Sequence, residues 1–305
     1  MYHPLHLKHF KSKYINHKDI SEEFIKTIMQ QSASECPFST FPYIFGMNSE
    51  QANQHHNTGN CVALSMFLRD KLKKHGIKSI LIPATIPKMY SNPNYLNISH
   101  VALAILIGYH DAYICDPAFY FMEPMKISSK SNDIKHILSQ NIYANTPEPL
   151  TYQLKFQSQD DILNQYQKIP GQSFHVETYK TDDPLDKWKY YLMEVINPDK
   201  AISSFYISTK NLPFIACVDD NFQMTLYIKF LDKQTISIKM GNQELYYGHF
   251  TSIPDNIKDI IKPCMQKHFG LSFDKYFNLP HDVSDKIYEI KDTPPKKKKT
   301  KRRKR

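Results

Sequence analysis

Residues 59–76 of this chain read GNCVALSMFLRDKLKKHG, and this stretch decides the fold. Leucines recur every four residues from Leu64 to Leu72, which is the spacing of a helix with one buried face. Basic residues fill the last turn and Gly76 follows them, as is typical of a helix C-terminus. The pattern therefore predicts a helix that begins at Cys61. A thiol in that position faces unpaired N–H groups and the positive end of the helix dipole, which favour the thiolate.

A β-hairpin is predicted further along the chain. His100 begins the apolar run 101–107, and Asp116 follows a second run, 112–115, with a polar turn between them. Residues 100 and 116 are an even number apart, and their midpoint is Gly108 in the turn. Antiparallel pairing about that turn would place His100 and Asp116 opposite one another on one face of the sheet.

The order Cys61, His100, Asp116 is that of a cysteine nucleophile, its base and a carboxylate that orients the base. Each residue also has an ordinary interpretation: a free Cys is usually a small buried hydrophobe, and a His or Asp at a strand end is commonly structural. Three independent coincidences of position favour the catalytic triad.

The composition describes a neutral body with a basic tail. The 305 residues carry a formal charge of +9, but nine of the Lys and Arg lie within residues 296–305. Without them, 30 basic residues balance 30 acidic ones, and Arg69 is the only Arg. A nucleic-acid-binding surface is therefore not predicted outside the tail.

The five cysteines are scattered, and no C-x-x-C spacing occurs among them. This argues against a disulfide framework and against structural zinc, so we expect no metal site. The adjacent His55 and His56 are predicted to be solvated loop residues, because no third ligand is spaced to join them. The N-terminus has no signal-peptide pattern and no apolar run is long enough to span a bilayer, so we expect an intracellular, reducing compartment and no membrane contact.

The rest of the chain predicts an α+β fold. An N-terminal helix is expected over 20–31, a loop over 46–60 and a strand over 79–86. From Leu150 the pattern changes to short β runs, which suggest a small barrel or a curved sheet, and a final helix is expected over 255–269. We divide the chain into a helical region 1–75, a hairpin and β-barrel domain 76–250, a C-terminal helical region 251–290 and a disordered basic tail 291–305.

This order of elements resembles the arylamine N-acetyltransferases over most of residues 20–273, which implies a papain-like cysteine-nucleophile fold. Cys61, His100 and Asp116 match the triad of that family in order and approximate spacing. Further segments similar to its motifs are Cys36-Pro37-Phe38-Ser39, Asp116-Pro117-Ala118-Phe119, Trp188-Lys189-Tyr190-Tyr191, the stretch 208–214 and the stretch 268–273.

The resemblance implies ping-pong acyl transfer with acetyl-CoA as the donor. Cys61 would carry the acetyl group as a thioester and pass it to an arylamine or a similar small-molecule amine. Phe38 and Phe119 occupy positions where the family lines its acceptor pocket, although both also suit a core. The Cys61 backbone N–H is the natural first oxyanion donor, and Asn60 or Gln54 is the expected second.

Two other classes stay open. The family usually has Arg-Gly-Gly before the nucleophile and Phe-Glu after it, whereas Cys61 lies between Asn57-Thr58-Gly59-Asn60 and Val62-Ala63. The Gly59-x-Cys61 element also looks like the transglutaminase-like superfamily, so a transglutaminase-like or papain-like amidase acting on protein amides is an alternative. A non-catalytic binding module on the same fold is the other.

The tail 296–305 is almost entirely Lys and Arg and follows two prolines, so we expect it to be disordered. It is predicted to be a nuclear localisation signal read by an import receptor, or a nonspecific nucleic-acid contact; a solubilising tail is the ordinary alternative. High Lys, Ile, Asn and Tyr content with few Arg suggests an AT-rich genome.

Overall fold

The computed structural model describes residues 15–16, 19–44, 47, 49–85, 98–107, 111–128, 135–139, 150–157, 190–195, 214–232 and 234–269. Outside these residues lie the tail 296–305 and one of the short β runs after Leu150, at 202–207. The segments 188–191, 208–214 and 268–273 lie partly outside them. The predicted domain boundaries stay predictions.

Five α-helices and twelve strands make up the described part of the chain. The helices are α1 (Glu22–Glu35), α2 (Phe41–Ile44), α3 (Ser49–His56), α4 (Cys61–Lys74) and α5 (Asp255–Phe269). The strands are β1 (Phe38–Ser39), β2 (Ile80–Thr85), β3 (Ile98–Leu106), β4 (Asp111–Cys115), β5 (Met125–Ser128), β6 (Lys135–Ser139), β7 (Leu150–Gln157), β8 (Tyr190–Val195), β9 (Phe214–Val218), β10 (Met224–Phe230), β11 (Thr235–Met240) and β12 (Gln243–His249). The predicted α+β class is confirmed.

The strands form two sheets. The large sheet has the order β5-β4-β3-β2-β8-β7-β6, in which every neighbouring pair is antiparallel except β2 and β8. The small sheet has the order β1-β9-β10-β11-β12 and is antiparallel throughout. The predicted barrel is therefore wrong for the described residues, because both sheets are open. Alternating short runs predict strands but do not say which strands pair, so β7 and β8 joining the large sheet was not foreseeable from the pattern.

The predicted Cys helix is confirmed as α4, whose buried face includes Leu64, Leu68 and Leu72. It ends as predicted: Gly76 has φ +76°, the Gly76 N–H donates to the Lys73 carbonyl, and the Ile77 N–H donates to the Leu72 carbonyl. This pair of bonds is the Schellman arrangement, which satisfies carbonyls that have no helical partner. On its inner side the Ser65 hydroxyl donates to the Val101 carbonyl of β3 at 3.3 Å, which fixes α4 against the strand that carries His100.

The small sheet separates two apolar clusters. Phe38, Phe214 and Tyr227 pack on the side of α1 and α4, together with the buried centre of β3 and β4. Ile215 and Ile228 face the other way, toward Ile261 and Met265 of α5 and their neighbours. Alternation along β9 and β10 thus gives the sheet two buried faces, so α5 lies behind it rather than at the end of a barrel.

Two local predictions need correction. Residues 49–56, expected in a loop, form helix α3, which buries Ser49, Ala52 and Asn53. Its mean composition is polar, and an eight-residue helix with one small buried face gives little apolar periodicity to detect. The N-terminal helix, expected over 20–31, is α1 at Glu22–Glu35. Its buried face contains Ile25, Ile28 and Met29, whereas Phe24 is 43% exposed and packs on the His75 ring.

No helix among the described residues is long and apolar enough to span a membrane.

Candidate active site

Cys61 is the first residue of α4 and is held there by a helix cap. Asn60 has extended backbone angles, and its Oδ1 accepts the Val62 N–H at 3.1 Å and the Ala63 N–H at 3.3 Å. The Ser49 hydroxyl at the start of α3 donates to the same Oδ1 at 2.9 Å. Asn60 therefore fixes both the start of α4 and the position of α3 relative to it.

The segment before Cys61 is attached to strand β1. The Ser39 N–H donates to the Gly59 carbonyl at 2.8 Å, and the Thr58 hydroxyl donates to the Pro37 carbonyl at 2.8 Å. Gly59 has φ +146°, a region that L side chains rarely adopt, so a glycine is required at this turn. Residues 58 and 59, which lead into Cys61, are therefore both bonded to the stretch 37–39 before the helix begins.

The hairpin brings His100 and Asp116 onto one face, with a register two residues away from the predicted one. Leu103 pairs with Cys115 and Leu106 with Ala112, so Asp116 continues opposite Ala102 rather than His100. His100 and Asp116 are diagonal neighbours, which still share a face because the shift is even. The pairing of β3 with β4 is centred at position 109 rather than at position 108, because sequence alone does not set the length of a polar turn.

Asp116 is buried, and its two carboxylate oxygens have different partners. Oδ2 lies 2.6 Å from His100 Nε2, while Oδ1 accepts the Ala118 N–H at 3.2 Å and the Phe119 N–H at 3.0 Å. The turn after β4 therefore holds the carboxylate, and the carboxylate holds the imidazole.

His100 connects Asp116 to the thiol. Its side chain is 2% exposed and forms a hydrogen bond with the Cys61 side chain. Burial on its own would lower the pKa of His100, but the Asp116 charge, its hydrogen bond and the adjacent Cys61 outweigh burial and raise the pKa to about 10. Because Nε2 faces Asp116, Nδ1 is the ring nitrogen left for Cys61.

Aromatic rings border this group. Phe119 is 2% exposed and packs edge-on against His100 with ring centres 4.9 Å apart. Phe38 is 8% exposed, stacks on Phe214 at 5.4 Å and pairs through its backbone with Gly59, two residues before Cys61. Of the two residues expected in the acceptor pocket, Phe119 thus lies beside His100 and Phe38 beside the segment that leads into Cys61.

The two residues proposed as second oxyanion donors are placed differently. Asn60 is buried next to Cys61, with its Oδ1 used as the helix cap. Gln54 is exposed on α3, where its Nε2 donates to Glu50 at 3.1 Å. Of the two, Asn60 is the one beside Cys61.

Four other free cysteines occur in the described residues: Cys36, Cys115, Cys217 and Cys264. Burial raises the pKa of the Cys36 and Cys115 thiols well above the ordinary value. Cys217 of β9 and Cys264 of α5 lie with their sulfurs 3.4 Å apart, behind the small sheet. No group of three His, Cys, Asp or Glu that could hold a metal occurs among the described residues, and the expectation of no metal stays a prediction.

His268 also contributes to this region, which its sequence pattern did not predict. It lies on α5, is 4% exposed, and its Nδ1 donates to the His56 carbonyl at the end of α3, at 3.1 Å. The position in a helical pattern gave no signal, because a His near a helix C-terminus usually serves the dipole of its own helix.

No family model matches the chain, and no curated protein matches it in sequence. Solved structures of arylamine N-acetyltransferases match over most of their length. The Mycobacterium smegmatis enzyme is 13% identical with a TM-score of 0.43, covering 91% of this chain and 95% of that one. The Salmonella typhimurium enzyme is 12% identical with a TM-score of 0.44, over 92% and 98%. A Bacillus cereus enzyme with a Cys-His-Glu triad is 12% identical with a TM-score of 0.44, over 88% and 98%. The function proposed below therefore rests on the side chains around Cys61.

Proposed function

We propose that this chain is a cysteine-dependent acyltransferase that moves an acetyl group from acetyl-CoA, through an acetyl-Cys61 thioester, to an arylamine or a similar amine. The observation that carries the proposal is the continuous contact from Cys61 through His100 to Asp116 at a helix N-terminus. The donor and the acceptor are taken from the family resemblance.

The raised pKa of His100 sets the protonation state in which the site begins. A pKa of about 10 keeps the imidazole protonated at neutral pH, so the proton lost by Cys61 is held on His100. The start of α4 adds backbone N–H groups and the positive end of the helix dipole beside the sulfur. Together they favour a thiolate–imidazolium pair.

The reaction then divides into two acyl transfers. The Cys61 thiolate attacks the thioester carbonyl of the donor, and His100 gives its proton to the departing CoA sulfur. The amine attacks acetyl-Cys61, His100 takes the amine proton, and the Cys61 thiolate leaves. The Cys61 N–H, with Asn60 as the proposed second donor, would stabilise the oxyanion of each tetrahedral intermediate.

Limited access to the thiol supports a slender donor. Cys61 is 5% exposed, and His100 and Phe119 are 2% exposed. A thioester at the end of a flexible arm can reach such a thiol, whereas an amide on a folded protein surface needs a wider approach. This favours the acyltransferase over the protein-directed amidase.

The test is the intact mass of the purified chain after incubation with acetyl-CoA. We expect one acetyl adduct that Cys61→Ser lacks and Cys115→Ser keeps, because the Cys115 thiol is buried with a raised pKa. An arylamine or a hydrazine should discharge the adduct. A chain that gains no adduct while iodoacetamide still alkylates Cys61 would contradict acetyl-CoA as donor and support the amidase. An inert Cys61 would support a binding module.

We also propose that the basic segment 296–305 directs the chain to the nucleus of a eukaryotic cell. A fluorescent fusion with and without these residues tests this. Equal distribution of the two fusions would contradict it.

A further inference from the structure

The geometry points to His268 as a positioning residue for Cys61: from helix α5, it holds the end of α3 from which the chain runs to the nucleophile. This inference rests on the proposed role of Cys61. His268 touches neither substrate nor the reacting sulfur, and its effect passes through the backbone of residues 56–60.

The contact is a buried side chain bound to helix-end backbone. The Nδ1–H of His268 donates to the His56 carbonyl at 3.1 Å, and the ring also hydrogen-bonds the backbone of Asn57. Asn57 has φ +44° and donates its N–H to the Asn53 carbonyl at 3.0 Å, which ends α3. The last carbonyls of a helix lack partners within it, so His268 supplies the donor that α3 needs there.

Both ends of α3 are connected to the start of α4. At its first residue, the Ser49 hydroxyl binds Asn60 Oδ1, the same oxygen that caps α4. At its last residue, the chain continues through four residues to Cys61. A shift of α3 would therefore move the helix cap from one side and the nucleophile segment from the other.

Strand β1 already holds the middle of the segment, through the bonds to Thr58 and Gly59. That attachment leaves residues 56 and 57 to be fixed from elsewhere, and His268 is the side chain from α5 that contacts them. With both attachments present, the direction in which α4 begins is set before Cys61 is reached.

The protonation state of His268 suits this role. Burial is the largest cause and lowers its pKa, and the charges of Lys267 and His56 lower it further. The hydrogen bonds to the His56 and Asn57 backbone raise the pKa by less, and the result is about 4. The ring is therefore neutral at pH 7 and carries one N–H. That hydrogen is on Nδ1, because a carbonyl oxygen can only accept.

The test compares the pH dependence of Cys61 alkylation by iodoacetamide in full-length variants, read by peptide mass spectrometry. His268→Leu removes the donor, whereas His268→Asn keeps an N–H at the place of Nδ1. Met265→Ala is the matched control, because Met265 is fully buried one turn away on the opposite side of the small sheet from the site. Thermal unfolding of each variant measures the general loss of stability.

We expect His268→Leu to slow alkylation at pH 7 by about 10- to 100-fold, by analogy with the loss of side chains that orient metal ligands. Its pH midpoint should rise by about one unit. His268→Asn should restore most of the rate, and Met265→Ala should lower the unfolding temperature without moving the midpoint.

A folded His268→Leu variant with the wild-type rate and midpoint would overturn the inference, and so would an equal shift in Met265→Ala. If His268→Leu does not fold, His268→Gln, which displaces the donor by one bond, is measured in its place and judged by the same midpoint. A failure of the proposed function is distinguishable, because a wild-type chain that alkylates at Cys61 but takes no acetyl group still gives every rate compared here.

Discussion

Asp116 holds the proposed base with one oxygen and is held by the backbone with the other. Asp116→Asn keeps the size of the side chain and an oxygen for the Ala118 and Phe119 N–H groups, but it removes the charge beside His100 Nε2. We expect the pKa of His100 to fall, because burial then dominates. Acetyl transfer to Cys61 at pH 7 should fall by about 10³- to 10⁴-fold, as in related triads.

Asp219→Asn is the matched control for this change. Asp219 also accepts backbone N–H groups, from Asn221 and Gln223, but it contacts no catalytic side chain in the described residues. It should keep the acylation rate. Near-wild-type acylation by Asp116→Asn would show that His100 needs no carboxylate.

The sequence identified Cys61, His100 and Asp116 through their order along the chain and the even spacing of His100 and Asp116. It did not identify which residues contact them. A register shift of two residues leaves every side chain on the same face of the sheet. The shared face of His100 and Asp116 was therefore predictable even though their exact pairing was not. The diagonal pairing depends on the register of β3 and β4, and the polar sequence between these strands is compatible with several turn lengths. The hydrogen bonds from the Ala118 and Phe119 N–H groups to Asp116 depend on the backbone conformation after β4, and hydrophobic periodicity does not predict that conformation.

Among the elements, α4 combines a structural cap with a chemical role. Asn60→Asp keeps the acceptor for the Val62 and Ala63 N–H groups and should leave the free energy of unfolding within about 1 kcal/mol of wild type. The new negative charge lies one residue from the Cys61 sulfur, so it should disfavour the thiolate. We expect alkylation of Cys61 at pH 7 to slow by about 10-fold while urea unfolding is nearly unchanged.

Asn60→Ala separates the two effects. It should lose about 1 kcal/mol of stability through the missing cap and add no charge. If Asn60→Asp and Asn60→Ala shift the pH midpoint of alkylation equally, a negative charge at the helix cap does not control the ionisation of the Cys61 thiol.

Elements with strong local signals were predictable, and their partners were not. Helix α5 matches its predicted bounds, and strands β9, β10 and β11 lie among the short β runs predicted after Leu150, since each has a clear period and turn residues at both ends. Helix α3 was missed because its buried positions, Ser49, Ala52 and Asn53, are small or polar. The open sheets and the approach of α5 to α3 result from packing between distant parts of the chain, which local patterns do not encode.

For the whole molecule, two buried histidines predict a maximum of stability near pH 6.5. The pKa of His268 is lowered from 6.5 to about 4, so its contribution is present above pH 6.5 and is lost as pH falls through 4. The pKa of His100 is raised from 6.5 to about 10, so its contribution is present below pH 6.5 and is lost as pH rises through 10. Urea unfolding at several pH values should therefore give a free energy of unfolding that falls on both sides of pH 6.5.

His268→Asn should remove up to about 3 kcal/mol of the stability loss at acid pH, and Asp116→Asn should reduce the loss at alkaline pH. If His268→Asn loses as much stability at acid pH as the wild type, protonation of carboxylates, rather than of His268, controls unfolding at acid pH.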